Sequence, residues 1–220
     1  MVNALLIIAE TLICYIVMII LNKKYKTDGL YVYGIVATFM SCIMCLKQID
    51  IFGVAVPIGF GVTASLLIAA HILTQKKGPS SLKTYIILIL VTALISCCFL
   101  NISGIMESSN YNKFANKSYD NIFKYNLRIY FANIISISIS IILGSKLYYL
   151  IKRINNKIVL SNIFTVVIIE FLNTIVFVLI AYLFERKLID VILIIIFRYL
   201  IKMLIGILGT IPIYITNKFN

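Results

Sequence analysis

The chain is built around seven long apolar stretches, several of them close to 20 residues, separated by short polar segments. A helix needs ~20 apolar residues to cross the ~30 Å hydrocarbon core of a bilayer. Because the stretches are continuous and do not alternate, they favour helices over membrane β-strands. We predict an all-α integral membrane protein with about seven transmembrane helices. The predicted spans cover residues 3–22, 30–46, 54–74, 85–106, 129–150, 159–183 and 189–215.

The composition excludes the main alternatives to a membrane protein. Apolar residues make up 62% of the 220 residues and charged residues 13%, against roughly 45–50% and 25% in soluble domains. A soluble or disordered chain is therefore excluded. No P-loop, G-x-S-x-G or H-E-x-x-H motif is present, so we expect neither an enzyme nor a bound cofactor. With one histidine, and with every cysteine inside an apolar run, we expect no metal site.

The basic residues predict the orientation of the chain. Twenty Lys and Arg stand against eight Asp and Glu, in short clusters between the apolar runs. This pattern is typical of a topology signal and does not suggest nucleic-acid binding. Eleven basic residues, including the clusters at 23–26 and 76–83, fall on one side and seven on the other. The prediction is a cell-membrane protein with its N-terminus outside and its C-terminus in the cytoplasm. The polar loop 107–128, with Asn110 and Lys124, is predicted to be external and solvated, with one amphipathic turn.

Two groups of small residues leave alternatives open. Pro57 and Gly59 interrupt the third span, which predicts either a broken, re-entrant start or a simple kink. Ser136, Ser140 and Gly144 are spaced four residues apart in the fifth span and share one helix face. Such a face predicts close helix packing, with a polar stripe lining a path as the alternative.

The most informative residues are ionisable side chains deep in the spans. Glu170 lies near the middle of the sixth span, with Asn173 one turn away, and Arg198 and Lys202 lie near the middle of the seventh. A charge at that depth costs at least ~2.5–3.5 kcal/mol on insertion scales. The last two spans are joined by a short loop, so we expect Glu170 to meet Arg198 or Lys202, leaving one cation free. The group is either a buried ion pair that fixes helix register or part of a solute site.

Other polar side chains in or beside the spans are weaker candidates. Glu10 in the first span is expected to pair with another helix or another subunit. His71 and Gln75 are candidates for coupling or gating, with hydrogen-bonded packing as the alternative. Lys47 and Arg128 lie at span ends. They either take part in gating or only extend their charged ends to the membrane interface.

Two stretches resemble a known family. GLYVYGIVATFMSCIMCLKQIDIFG, followed by GFGVTASLLIAAHILTQKKG, is similar to the start of the vitamin uptake transporters, also called queuosine precursor transporters. Further on, Arg128 opens a span as the family's arginine does, and NTIVF at 173–177 and YLIK at 199–202 match the family in order and spacing. The resemblance covers residues 29–216. It implies a six-helix transporter core at 29–220, preceded by an extra transmembrane helix and basic loop at 1–28.

The chain departs from the family at several polar positions. His71 and Gln75 stand where the family has Asp and Glu, and Asn173 stands where it has Asp. Ile141 and Gly144 occupy positions where Gln and Asp are expected. Most of the carboxylates implied by the resemblance are therefore missing.

The resemblance implies an importer of a small planar heterocycle, with a 7-deazaguanine precursor of queuosine for tRNA modification as the first candidate. Glu170 would accept the two N–H groups of a guanine-like edge. Lys202 would donate to the ring carbonyl, and Asn173 could either donate or accept a hydrogen bond. Phe177 or Tyr199 would stack on the ring.

Two alternatives remain open. One is the substrate-binding subunit of a multi-component, energy-coupling factor type transporter, with separate ATPase and coupling subunits. The other is a membrane interaction protein that does not transport. A homodimer is compatible with any of the three.

Overall fold

The chain folds as a bundle of helices with one short β-hairpin. The computed structural model describes residues 2–109, 111–123 and 126–219, so Asn110 and Lys124 of the polar loop lie outside the described residues. The predicted all-α membrane class is confirmed. The helices are α1 Val2–Met44, α2 Phe60–Lys77, α3 Ser81–Ile105, α4 Lys113–Phe123, α5 Leu127–Asn155, α6 Ile158–Tyr182, α7 Leu188–Leu208 and α8 Thr210–Thr216; the strands are β1 Gln48–Ile51 and β2 Val54–Pro57.

Five helical segments of the described chain are long and apolar enough to cross a membrane: α1, α3, α5, α6 and the segment Leu188–Thr216 that joins α7 to α8. α1 is sharply kinked at Lys26, whose φ is 53°. Gly29 follows the kink so closely that a Cβ there would lie 2.2 Å from the Leu21 carbonyl oxygen. Residues from both halves of α1 line one groove, so the halves lie side by side. The two halves correspond to the first two predicted spans, but the count of seven spans stays a prediction.

The central helix is α2. Every residue from Phe60 to Thr74 is buried, and α2 packs against α1, α3, α5 and α7. Small side chains such as Ala64, Ala69 and Ala70 let the neighbouring helices approach closely. Because protein surrounds α2 from Phe60 to Thr74, the helix can carry His71 and Thr74 without exposing them to lipid.

The expectation of a helix from residue 54 is wrong for its first six residues. Residues 54–57 form β2, which pairs antiparallel with β1 in the register Gln48↔Pro57. Phe52 and Gly53 form a two-residue turn with φ of 50° and 82°, the left-handed geometry that matches hairpin twist. α2 starts at Phe60 after Gly59, whose φ is 85°. The third span therefore has the broken start and not the simple kink.

One further element differs from the expectation. The polar loop holds α4, a helix of 11 residues, where a single amphipathic turn is predicted. Its last residue, Phe123, is buried in a cluster with Cys42, Ala93 and Tyr130, so one end of α4 is held on the bundle. The last predicted span forms one segment, Leu188–Thr216, in which Gly209 between α7 and α8 keeps helical backbone angles (φ −60°, ψ −12°).

The N-terminal half of α1 is tied to the centre of the bundle. Glu10 Oε1 accepts a hydrogen bond of 3.1 Å from the backbone N–H of Val62 in the first turn of α2. The Tyr15 hydroxyl donates to the Ile205 carbonyl oxygen of α7 at 2.7 Å. Glu10 lies eight residues into α1, about 12 Å along its axis. The start of α2 is therefore well inside the bundle, and a carboxylate from α1 accepts one of its free N–H groups.

We predict that removing the Glu10 carboxylate destabilises the bundle through the start of α2. Glu10→Ala should cost about 1 kcal/mol in free energy of unfolding, the usual cost of losing a helix-capping acceptor. Glu10→Gln keeps an acceptor oxygen and should cost less. Thermal unfolding of the purified variants in mild detergent measures the difference; equal stability of Glu10→Ala and the wild type would contradict it.

Candidate functional site

The centre of the candidate site is an ion pair between α6 and α7. Lys202 Nζ donates to Glu170 Oε2 at 3.0 Å and to Asn173 Oδ1 at 2.6 Å. Lys202, Glu170 and Asn173 are 0%, 1% and 3% exposed. α6 and α7 are joined by five residues and pack side by side, which brings their midpoints together. The structure thus pairs Glu170 with Lys202 rather than with Arg198.

Asn173 extends the ion pair to a third helix. Its Nδ2 donates to the Ser136 carbonyl oxygen at 3.1 Å and to Ser140 Oγ at 2.7 Å. One turn further along α5, a Cβ at Gly144 would lie 2.6 Å from the Leu67 side chain, so α5 and α2 pack closely there. The small-residue face of α5 therefore combines close packing with polar contacts to α6.

Arg198 is the free cation of the group. Its side chain is 2% exposed, and its guanidinium carbon lies 3.9 Å from the Phe177 ring centroid and 5.7 Å from that of Phe60. Nε and Nη1 have no hydrogen-bond partner among the described residues. Contact with the aromatic faces offsets part of the free-energy cost of burying the charged guanidinium. Its buried N–H donors still cost free energy when they have no acceptor. The guanidinium therefore presents two unused donors one helical turn from Lys202.

The β-hairpin closes the bundle beside Arg198. Gln48 Nε2 donates to the Tyr182 hydroxyl at 3.2 Å, and Arg186 Nη2 donates to Gln48 Oε1. Tyr182 in turn packs edge-on against Phe177. Gln48 is a residue that the sequence analysis missed. Its partner Tyr182 is 134 positions away in the chain, and no local pattern indicates such a contact.

The comparisons with known proteins identify the family. Residues 57–216 match the model of a family described as "Putative vitamin uptake transporter". The chain belongs to this family. No curated protein and no solved structure matches the chain.

Membership in the vitamin uptake transporter family establishes a multi-pass membrane protein that acts in transport on a small-molecule substrate. The matched region includes α2 to α8, and therefore the whole Glu170–Lys202 cluster. Residues 1–56, with α1 and β1, lie outside the match. The division of the chain at residue 28 stays a prediction.

Three side chains named as candidates lie away from the cluster of this transporter. The Tyr199 hydroxyl donates to the Val167 carbonyl oxygen at 3.3 Å, and its ring packs edge-on against Phe171, which is 45% exposed. Lys47 is exposed in the turn before the hairpin. Arg128 donates to Glu185 at 3.1 Å and to the Ile180 carbonyl oxygen, which links the start of α5 to the end of α6. The structure does not bring these residues together with Glu170.

His71 and Gln75 form a separate polar group further along α2. Asn162 Nδ2 donates to Gly206 and Thr210 on the α7–α8 segment, so Asn162 Oδ1 is left to accept from His71 Nδ1 at 2.9 Å. Tyr148 stacks on the His71 ring at 4.4 Å and donates its hydroxyl proton to Gln75 Oε1. These contacts tie α2 to α5, α6 and α7, so both residues have packing partners.

The cluster of this family member is closed. Glu170, Lys202 and Arg198 are almost fully buried, and the apolar grooves of about 250 and 670 Å³ that flank α1 are not lined by any of them. A solute can reach the cluster only when helices or the hairpin separate.

We predict a strong, non-additive effect on stability when the ion pair is broken. Glu170→Gln leaves the Lys202 charge without its carboxylate and should cost about 3–5 kcal/mol in unfolding free energy. The double variant Glu170→Gln/Lys202→Met should recover most of that loss, because no buried charge is left unpaired. Unfolding in mixed micelles measures both.

The matched control for this cycle is Glu185→Gln, which breaks the exposed Arg128 pair. It should change stability by about 1 kcal/mol or less. A loss equal to that of Glu170→Gln, or a double variant whose losses simply add, would contradict the prediction.

Proposed function

We propose that this protein imports a small planar heterocycle, with a 7-deazaguanine precursor of queuosine as the first candidate. The observation that carries the proposal is Arg198, whose two unused donors are held beside aromatic rings in the middle of a transporter. The class of solute follows the resemblance to queuosine precursor transporters, and the contacts below support it.

Arg198 is suited to a planar solute that carries hydrogen-bond acceptors. A guanidinium is a flat fork of donors, and it favours planar partners with acceptor atoms on one edge. Phe177 and Phe60 place aromatic faces next to the fork. A ring carbonyl bound to Arg198 would accept from one of the free donors, and the aromatic faces would bury the ring.

Glu170 and Lys202 would supply the complementary contacts. A guanine-like edge has adjacent N–H donors for a carboxylate and a carbonyl oxygen for an ammonium group. In the closed structure Glu170 and Lys202 satisfy each other, so solute binding would exchange one set of hydrogen bonds for another. A carbonyl oxygen has two lone pairs, so Lys202 and Arg198 could both donate to it while Glu170 accepts from the N–H edge.

Two irregular points indicate where the bundle would open. α2 begins inside the bundle after the hairpin, and Pro212 has no N–H to donate to the Leu208 carbonyl in the last helix. Discontinuous helices next to a buried site are a recurring feature of secondary transporters. The hairpin, held by Gln48 and Tyr182, would open on one side of Arg198 and the α7–α8 segment on the other.

We predict that uptake depends on the fork of Arg198 as well as on its charge. Arg198→Lys keeps the charge but loses the planar donors, so uptake of labelled 7-deazaguanine precursor should fall at least about tenfold, the equivalent of one charged hydrogen bond. Cells that lack their own transporter and synthesis route provide the assay. Lys146→Gln, an exposed cation on α5, is the control and should retain uptake at equal membrane expression.

Two results would contradict the proposal. Wild-type protein that reaches the membrane but gives no uptake would reject the solute, and unchanged uptake by Arg198→Lys would reject the site. Transport by the purified chain alone in liposomes would support an importer. A binding subunit would transport only together with an ATPase, which should then co-purify with it.

The proposed orientation has the N-terminus outside and the C-terminus in the cytoplasm. A cysteine introduced as Asn116→Cys in α4 should react with a membrane-impermeant maleimide in intact cells, because α4 would be external. Lys157→Cys, between α5 and α6, should react only after the cells are opened. The reverse labelling pattern would invert the orientation.

A further inference from the structure

A polar cavity lies at the opposite end of the bundle from the hairpin. It has a volume of about 330 Å³ and lies between the last turn of α2 and the last two turns of α5. The cluster of Glu170 and Lys202 does not line it. Its lining includes Thr74, Gln75, Tyr148, Tyr149, Lys152 and Arg153.

The cavity is basic, and its charge is not neutralised by the described residues. Lys152 is half-buried and Arg153 is exposed at its mouth, and neither makes a salt bridge with a described residue. No carboxylate lines the cavity. Asp28, the one acid in the loops at this end, lies 3.9 Å from Lys77. Two adjacent cations therefore face a polar hollow without a counter-charge.

The floor of the cavity is rigid. The Tyr148 hydroxyl donates to Gln75 Oε1 at 2.8 Å, and Gln75 donates in turn to Asn217 near the C-terminus. The Tyr148 ring lies parallel to His71, with an interplanar angle of 8°. Because α2, α5 and the C-terminal segment are held together here, the two cations stand over a fixed surface and not on a mobile loop.

We propose that this pocket binds a phosphate group, carried either by a lipid headgroup or by a soluble phosphate ester. A guanidinium fork and an ammonium group are both common partners of a phosphate. Basic hollows between helices at the membrane surface are a recurring type of headgroup site. The volume accommodates a phosphate ester, and the absence of a lining carboxylate keeps the pocket selective for anions.

The test measures binding of two phosphate probes to the full-length protein in nanodiscs. Glycerol 3-phosphate is titrated into discs of phosphatidylcholine alone, with thermal unfolding as the readout. Discs that also contain phosphatidic acid are analysed by native mass spectrometry for lipid that stays bound. Binding of the first probe identifies a soluble ligand, and retention of the second identifies a lipid headgroup; either supports a phosphate site.

Variants separate the pocket from the general basic charge of this end. Lys152→Gln/Arg153→Gln should weaken binding of whichever probe binds by at least about tenfold, the loss expected from charge-assisted hydrogen bonds. The control Lys146→Gln/Lys157→Gln removes two exposed cations of the same side outside the pocket and should bind as the wild type does. Lys152→Arg keeps the charge and should retain binding, which guards against a variant that merely fails to fold.

Two outcomes would overturn the proposal. Neither probe binding to the wild-type protein would show that the pocket takes no phosphate. Equal loss of binding in the pocket variant and in the control variant would show that the probes respond to net charge alone.

Discussion

The structure depends on one ion pair that is buried inside the helix bundle. Lys202 and Glu170 meet 3.0 Å apart, and Asn173 connects them to the serines of α5. Removing either charge alone would leave the other buried and unpaired, which is far more costly than losing both. The contacts of this pair and of Asn173 therefore join α5, α6 and α7. The same geometry places Arg198 one turn away, stacked on Phe177 and with unused donors.

A site held this tightly has to open if a solute is to pass. The described chain has two points that suit such a movement, the hairpin before α2 and the stretch around Pro212, where the last helix lacks one backbone hydrogen bond. The first lies beside the cluster, because Phe60 of α2 contacts Arg198. The second follows Gly206, which accepts from Asn162 of the separate His71 group. The chain belongs to the vitamin uptake transporter family, and a transporter must open its site to each side of the membrane in turn.

Much of the fold could be predicted from the sequence, because lipid imposes length and hydropathy on every exposed helix. α3, α5 and α6 lie where the apolar runs predict them. A pair between Glu170 and a cation of α7 was also predictable, since charges at equal depth on consecutive helices have few other partners, but the sequence left Arg198 and Lys202 as alternatives. The hairpin was not predicted, because Val54–Pro57 is as apolar as a helix and only Pro57 and the flanking glycines indicate the break. The role of Gln48 could not be predicted, because a contact between distant segments leaves no local sequence pattern. The position of Tyr199 away from the cluster could not be predicted either, because it depends on a small rotation of the helix.

The most direct measurement is a crystal structure of the protein with the 7-deazaguanine precursor bound. We expect electron density for the solute ring beside Phe177, with an acceptor atom within hydrogen-bond distance of the Arg198 guanidinium. Lys202 or Glu170 should be turned toward the solute. Density in another part of the bundle, with the Lys202–Glu170 pair and Arg198 unchanged, would contradict this expectation.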